Sequence, residues 1–293
     1  MFPDQLWRQY VSSKEFGSHK IAGALLLWRR CATVFCVLYC TNAFFISAVS
    51  GGEMTSESPK EILHELERIK QFGSVLFIAA HPDDENTELL SYLARGRNYR
   101  VAYLSVTRGD GGQNVLGADL GEKLGVARTQ ELLAARQIDG AQQFFSRAVD
   151  FGFSKNYEET LNAWNKQELL SDMVRVIRQF RPDVLITRFS PSPGGTHGHH
   201  TTSALLAKEA FKLAGDPHAF PEQKLAAWQP KRILWNVSTY QKEKVNNANS
   251  TLKIETTGKD SVSGQTFFEM ASASRAMHKT QGFDTYKLAG SPE

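Results

Sequence analysis

Three features of the sequence predict an α/β fold with a mainly parallel sheet and helices on both faces. Short uncharged apolar runs at 75–80 and 184–186 have the pattern of strands buried on both faces, and 101–107 is a further strand candidate. Longer stretches at 61–72, 85–95, 121–138 and 158–180 instead carry apolar residues at helical spacing. The two kinds of segment alternate along the chain, which favours parallel strands joined by helical crossovers over hairpins.

The elements follow in order. Ile62, Leu63, Leu66 and Ile69 line one face of an amphipathic helix over 61–72, and the strand at 75–80 follows it and is stopped by Pro82. Leu89, Leu90, Tyr92 and Leu93 mark a helix over 85–95 that ends at Gly96. A strand at 101–107 runs into a tight loop, Arg-Gly-Asp-Gly-Gly-Gln-Asn at 108–114, and a helix follows over 121–138. A short strand at 142–145 and a loop at 150–157 precede one long helix over 158–180, with Leu161, Trp164, Leu169, Met173, Val176, Ile177 and Phe180 on its apolar face and Pro182 closing it. The strand at 183–188 leads into a His-rich loop at 190–200, from which a helix runs to 214. A last strand is expected at 233–240, then a polar loop or exposed hairpin over 242–264. There is no internal repeat.

Composition excludes several classes of function. The formal net charge is only +3 over 293 residues and no Lys/Arg stripe appears, which argues against nucleic acid as a partner. All three cysteines, Cys31, Cys36 and Cys40, fall in one apolar stretch, so the rest of the chain has no disulfide framework, thiolate metal site or cysteine nucleophile. That stretch, 31–49, follows Arg29-Arg30 and ends in small residues. Residues 1–50 are therefore expected to be an export signal with a long leading segment, or else a membrane anchor, placing the protein outside the cytoplasm or on a membrane. Residues 51–59 read as a linker, and the folded region is expected over 60–293, open to being one part of a longer protein.

The chemistry concentrates where strands end. Val-Leu-Phe-Ile-Ala-Ala-His-Pro-Asp-Asp-Glu at 75–85 breaks from an apolar run into one imidazole and three carboxylates. In open α/β sheets ligands bind at the carboxyl ends of strands. A second cluster, His197-Gly-His-His200, follows another buried strand. Alone, the first could be a helix cap and the second a surface loop. Together they can bring His81, Asp84 and His200 to one ion; two imidazoles and a carboxylate suit Zn²⁺, and Fe²⁺ also tolerates the set. Asp83 is then free to act as general base on a metal-bound water, and His197 to stabilise an oxyanion or protonate a leaving amine.

With His81-Pro-Asp-Asp84 and His197-x-x-His200 in hand, the chain resembles the PIG-L/LmbE-like family of zinc-dependent de-N-acetylases over roughly 74–215. The resemblance implies a Rossmann-like α/β fold, a zinc ion and hydrolysis of an N-acyl amide, typically on an N-acetylglucosamine moiety. It assigns His81, Asp84 and His200 as ligands, Asp83 as base and His197 as transition-state partner. Arg128, in an Arg-x-x-Glu-Leu pattern, corresponds to an arginine that the family can use to hold substrate; the alternative is an exposed helix arginine paired with an acid. His278 resembles a C-terminal family feature near the substrate. The chain departs from the family where Asp often precedes the last ligand: here that residue is His199. In loop 108–114, Asp110 and Asn114 are candidates for binding sugar hydroxyls, although tight turns alone would explain the glycines. The leading expectation is a metal-dependent amidase acting on a small-molecule or glycoconjugate substrate; the alternative is a non-catalytic carbohydrate-binding protein that retains the pocket. A dinucleotide enzyme is disfavoured, because no Gly-x-Gly-x-x-Gly follows the first strand and the turn there is acidic.

Overall fold

The computed structural model describes residues 58–193, 196–237 and 252–283; the expected export segment and nearly all of the linker after it lie outside the described residues. Five strands, β1 (Ser74–Ala79), β2 (Arg100–Ser105), β3 (Gln142–Phe145), β4 (Val184–Thr187) and β5 (Arg232–Trp235), form one sheet in the order β3-β2-β1-β4-β5. Every neighbouring pair is parallel. β1 is central and buried along its whole length, as its unbroken apolar run requires. Ile78 is level with Leu104 of β2 on one side and Thr187 of β4 on the other, so the three strands end together. The chain winds outward from β1 to β3, then returns to place β4 and β5 on the opposite side. The strand order thus reverses between β1 and β4, and the crevice above that junction is where such sheets bind ligands.

Seven helices accompany the sheet among the described residues: α1 (Pro59–Arg68), α2 (Thr87–Ser91), α3 (Glu122–Asp139), α4 (Tyr157–Ala163), α5 (Lys166–Phe180), α6 (Gly198–Leu213) and α7 (Phe267–Arg275). Because strand side chains alternate, Leu76 and Ile78 face one way, into a core with Leu170, Met173 and Ile177 of α5 and Leu206 and Ala207 of α6. Phe77 and Ala79 face the other, against Leu89 and Leu90 of α2, Leu93 in the turn that follows it, and Leu132 of α3. Truncating a fully buried side chain such as Phe77 to Ala costs about 3–5 kcal/mol.

The structure corrects the expected elements at four points. The single helix over 158–180 is two: Trp164 is extended, and the Asn165 side chain accepts from the N–H groups of Gln167 and Glu168 to open α5. The helix expected over 85–95 begins only at Thr87, capped by Asn86, and continues as a π turn over Tyr92–Gly96, which leaves Glu85 in the preceding loop. On α1 the apolar Ile62, Leu63 and Leu66 are exposed, whereas His64 is buried with its Nε2 3.4 Å from Asp260. Helix α7 was not expected, although Thr266 and Glu269 form the reciprocal cap that announces a helix start. The last strand, expected over 233–240, is observed as Arg232–Trp235; residues 236–237 are not strand, and 238–240 lie outside the described residues.

Candidate active site

Loops leaving β1 and β4 meet above the strand junction. His81 ends the first of these runs, and its backbone N–H donates to Asp84 Oδ2 at 2.7 Å, folding the loop so that both side chains face one point. Its Nδ1 lies 3.1 Å from the same oxygen, while His200 Nε2 lies 3.5 Å from Asp84 Oδ1. His81, Asp84 and His200 can each place one donor atom within 4.8 Å of the others. Two donors of a tetrahedral zinc, each about 2.0–2.1 Å from it, sit about 3.3–3.4 Å apart. The spacings of 3.1 and 3.5 Å straddle that value, so the residues fit the metal.

Electrostatics favours a cation at the same point. Burial alone would push the His81 imidazole down, but the charges of Asp84, Asp150 and Asp83 outweigh it and raise it. Burial likewise raises Asp84, yet His200, His81 and the hydrogen bonds from His81 hold it well below the usual carboxylate range. His200 is lowered to about 4, chiefly by burial and against the pull of Asp84, so it offers a free lone pair near neutrality.

Asp83 stands beside this triad in a backbone conformation, φ 99°, that residues with a Cβ rarely adopt. Its Oδ1 lies 3.1 Å from Arg128 Nη2. Burial pushes its carboxyl up to about 6, with Arg128 opposing the rise and Asp84 adding to it. A carboxylate in that range is suited to taking up and releasing a proton near neutral pH.

His197 is the residue before α6, and its Nδ1 accepts the His199 backbone N–H at 3.1 Å. The neutral ring therefore carries its proton on Nε2. Gly198 is required between the histidines: a Cβ there would lie 2.1 Å from the Asn156 carbonyl oxygen and 2.4 Å from Ser154 Oγ. Phe189 lies flat against His200, ring centroids 3.7 Å apart, and the exposed Phe153 meets His197 edge-on at 5.1 Å.

His199, in the position where an acid was expected, is fully buried and stacked on Trp164. Its Nδ1 is 3.1 Å from His81 Nε2. The carboxylate missing from the motif arrives from another loop: Asp150 lies 3.7 Å from His199 Nδ1 and 3.8 Å from His81 Nε2. Sequence reasoning missed Asp150, a single acid in a loop after β3 with no pattern around it. Glu85 was quoted in the motif without a role, yet it is fully buried and its carboxylate accepts the Asp83 N–H at 2.9 Å.

The remaining expected residues fall in different places. Arg128 is buried, not an exposed helix arginine; it donates to the carbonyls of Pro82 and Gly109 and pairs with Asp83, so it grips the acidic loop. Gly109 and Gly112 make room for it, since a Cβ on either would come within 2.5 Å of Arg128 Nη1. Asp110 accepts the Asp150 N–H at 3.2 Å and so ties two loops of the site together. Asn114 spends its side chain closing the turn over 114–119. His278 is fully buried, with Nε2 2.9 Å from Glu85 Oε1, which places it beneath the acidic loop and not on a substrate-facing surface.

Comparison with known proteins adds independent information. Residues 76–211 match the family model described as PIG-L: GlcNAc-PI de-N-acetylase. The chain is 30% identical over 183 residues to a 1D-myo-inositol 2-acetamido-2-deoxy-alpha-D-glucopyranoside deacetylase of Streptomyces scabiei, covering 55% of each chain. It is 27% identical over 176 residues to a mycothiol S-conjugate amidase of Streptomyces coelicolor, covering 55% of this chain and 60% of that one. The chain thus spans little more than half the length of these relatives. Among solved structures, an N,N'-diacetylchitobiose deacetylase of Pyrococcus horikoshii superposes with a TM-score of 0.53 at 16% identity, over 79% of this chain and 81% of that one. The 4-carboxy-2-hydroxymuconate hydratase GalB of Pseudomonas putida does so with 0.51 at 17%, over 73% and 83%. At such identities the likeness is one of fold, and one fold carries more than one chemistry.

Proposed function

Residues 76–211 form a domain of the PIG-L/LmbE-like family, and from that premise we propose that the protein is a metal-dependent hydrolase that removes an N-acetyl group from an N-acetylglucosamine-type sugar or glycoconjugate. One observation carries the reading. The ligand triad His81, Asp84 and His200, assembled from the loop after β1 and the first turn of α6, stands next to a carboxylate, Asp83, whose proton affinity is set near neutrality. The names of the matched deacetylases support the substrate class. In keeping with the reading of residues 1–50, the reaction is assigned to the cell exterior or a membrane surface.

His81 through Nδ1, Asp84 and His200 through Nε2 are the residues that would hold the metal, with zinc as the first assignment and Fe²⁺ as the second. When bound, such an ion supplies Lewis acidity, lowering the pKa of a coordinated water and polarising the amide carbonyl. Asp83 accepts the proton of the attacking water as its oxygen bonds to the carbonyl carbon. His197 donates its Nε2–H to the oxygen on which negative charge develops. As the C–N bond breaks, Asp83 returns the proton to the departing nitrogen, and acetate and the free amine result. Arg128 holds Asp83 in reach of both atoms and keeps its carboxylate form available. Phe153 and Phe189 offer apolar faces beside the two histidines, suited to the ring of a sugar or to its acetyl methyl.

Acetate release from a panel of N-acetylglucosamine conjugates, with and without a chelator, tests the proposal. Release that the chelator abolishes and added metal restores is expected. A fully metal-loaded protein that binds these sugars without turnover would establish the carbohydrate-binding alternative instead.

A further inference from the structure

We propose that Glu85, clamped by Arg136 and His278, is a positioning residue that holds Asp83 in its left-handed backbone conformation and so fixes the direction of its carboxylate. The inference rests on the reading of Asp83 as the base. Asp83 is one of the few non-glycine residues with positive φ among the described residues, at 99°. Such a conformation is unfavourable for any residue with a Cβ and persists only where its surroundings impose it. The constraint here is visible: Glu85 Oε2 accepts the Asp83 backbone N–H at 2.9 Å, drawing the amide inward while the Asp83 carboxylate points to Arg128.

Glu85 is itself immobilised from two further elements. Its Oε1 accepts from Arg136 Nη2 of α3 at 3.0 Å and lies 2.9 Å from His278 Nε2, just beyond α7. Arg136 is anchored in turn by Asp139, which Arg136 Nε meets at 3.1 Å on both oxygens, and Asp139 Oδ2 accepts from Ser274 Oγ of α7 at 2.8 Å. Glu85, Asp139, Ser274 and His278 are wholly inaccessible to solvent, and Arg136 nearly so. An ion network this buried is a costly way to fill space, because each charge loses its hydration. Apolar side chains would pack the same volume at less cost. What they could not do is accept the Asp83 amide.

The test uses the full chain loaded with one equivalent of zinc. In Glu85→Asp the charge remains but the carboxylate withdraws by one methylene from the Asp83 amide. The expected result is a kcat lower by about 10- to 100-fold, the loss that a misplacement of the order of 1 Å brings. KM should stay within about twofold and the metal content at one per chain, since neither ground-state binding nor the ligands have changed. Amide hydrogen exchange at Asp83, expected to be slow in the parent because Glu85 accepts that N–H, should accelerate. His278→Ala should reproduce these effects more weakly, and His278→Gln, which keeps a donor toward Glu85, should recover most of the rate; this pair decides if Glu85→Asp fails to fold. Unchanged kcat, a kcat loss with the Asp83 amide still protected, or a loss explained by lost metal would each overturn the proposal. The exchange measurement separates the two readings: protection lost in a protein without deacetylase activity removes the enzyme assignment alone. Protection retained in an active enzyme removes the positioning role alone.

Discussion

Oδ1 of Asp84 lies 3.5 Å from Nε2 of His200, although one residue follows β1 and the other sits in the first turn of α6, after β4. Parallel pairing of β1 with β4 creates this proximity. Removing His200 should therefore cost the metal and removing the base should not. His200→Ala is expected to weaken zinc binding by more than about 100-fold, beyond the roughly 10- to 100-fold that an outer-shell change produces. Asp83→Asn should bind zinc as the parent does while kcat falls by about 10²- to 10⁴-fold. Calorimetric metal titration beside steady-state kinetics checks both; full activity in Asp83→Asn would remove the general-base assignment.

Arg128 opposes the burial that raises the Asp83 carboxyl to about 6. A bound metal, being positive, lowers that value further, so the acid limb of the kcat/KM profile should fall below pH 6 in the loaded enzyme. Arg128→Gln removes one of the positive charges, and the acid limb should move to higher pH. A limb that stays in place would mean that Arg128 does not act on the base.

His197 carries its proton on Nε2 because Nδ1 is occupied by the His199 N–H. His197→Ala should lower kcat by about 10²- to 10³-fold with metal content unchanged. An unaltered rate would leave His197 as a helix cap.

A methyl group at Gly198 would strike the Asn156 carbonyl and Ser154 Oγ. Gly198→Ala should push the first turn of α6 away from the loop at 154–156 and destabilise the fold by about 1–3 kcal/mol. Because His200 lies in the same turn, two residues after the glycine, metal affinity should drop as well. Thermal melts with and without zinc measure both effects.

Far from the site, Asp183 ties the start of β4 to β1 by accepting from the N–H and Oγ of Ser74 at 3.0 and 2.7 Å, and it pairs with Lys231 at 2.9 Å. Burial raises its carboxyl, but Lys231 and Ser74 outweigh burial and the net shift is downward from 3.8. A carboxylate with a depressed folded-state pKa contributes stability that is complete above the unfolded value and is lost as pH falls toward the folded one. Melting temperature should thus decline below about pH 4 in the parent, and less steeply in Asp183→Asn.

Much of this was readable before the structure, for physical reasons that can be named. Unbroken apolar runs mark buried parallel strands, and so the positions of His81 at the end of β1 and of His197 in the segment after β4 followed from residue order alone. Metal ligands are also few in kind, which made His81, Asp84 and His200 conspicuous. Asp150 had no such signal: its place beside His199 depends on how the loop after β3 lies over the sheet. Arg128 was expected either to hold substrate or to be an exposed helix arginine; its burial against the acidic loop had no local signal, because the room for it comes from glycines in another segment, Gly109 and Gly112. His278 was assigned to the substrate surface and instead lies under the loop, held by Glu85, a partner distant in sequence. The break between α4 and α5 rests on one capping side chain, Asn165, within a stretch whose helical spacing is otherwise continuous.

The most direct measurement is acetate release from an N-acetylglucosamine conjugate as zinc is returned stepwise to metal-stripped protein. Activity should climb in proportion to zinc and level off at one ion per chain in the parent, and should not appear in His81→Ala or His200→Ala. Acetate release by the stripped protein in the presence of chelator, or none at full occupancy across the sugar panel, would contradict a hydrolytic site divided between β1 and β4.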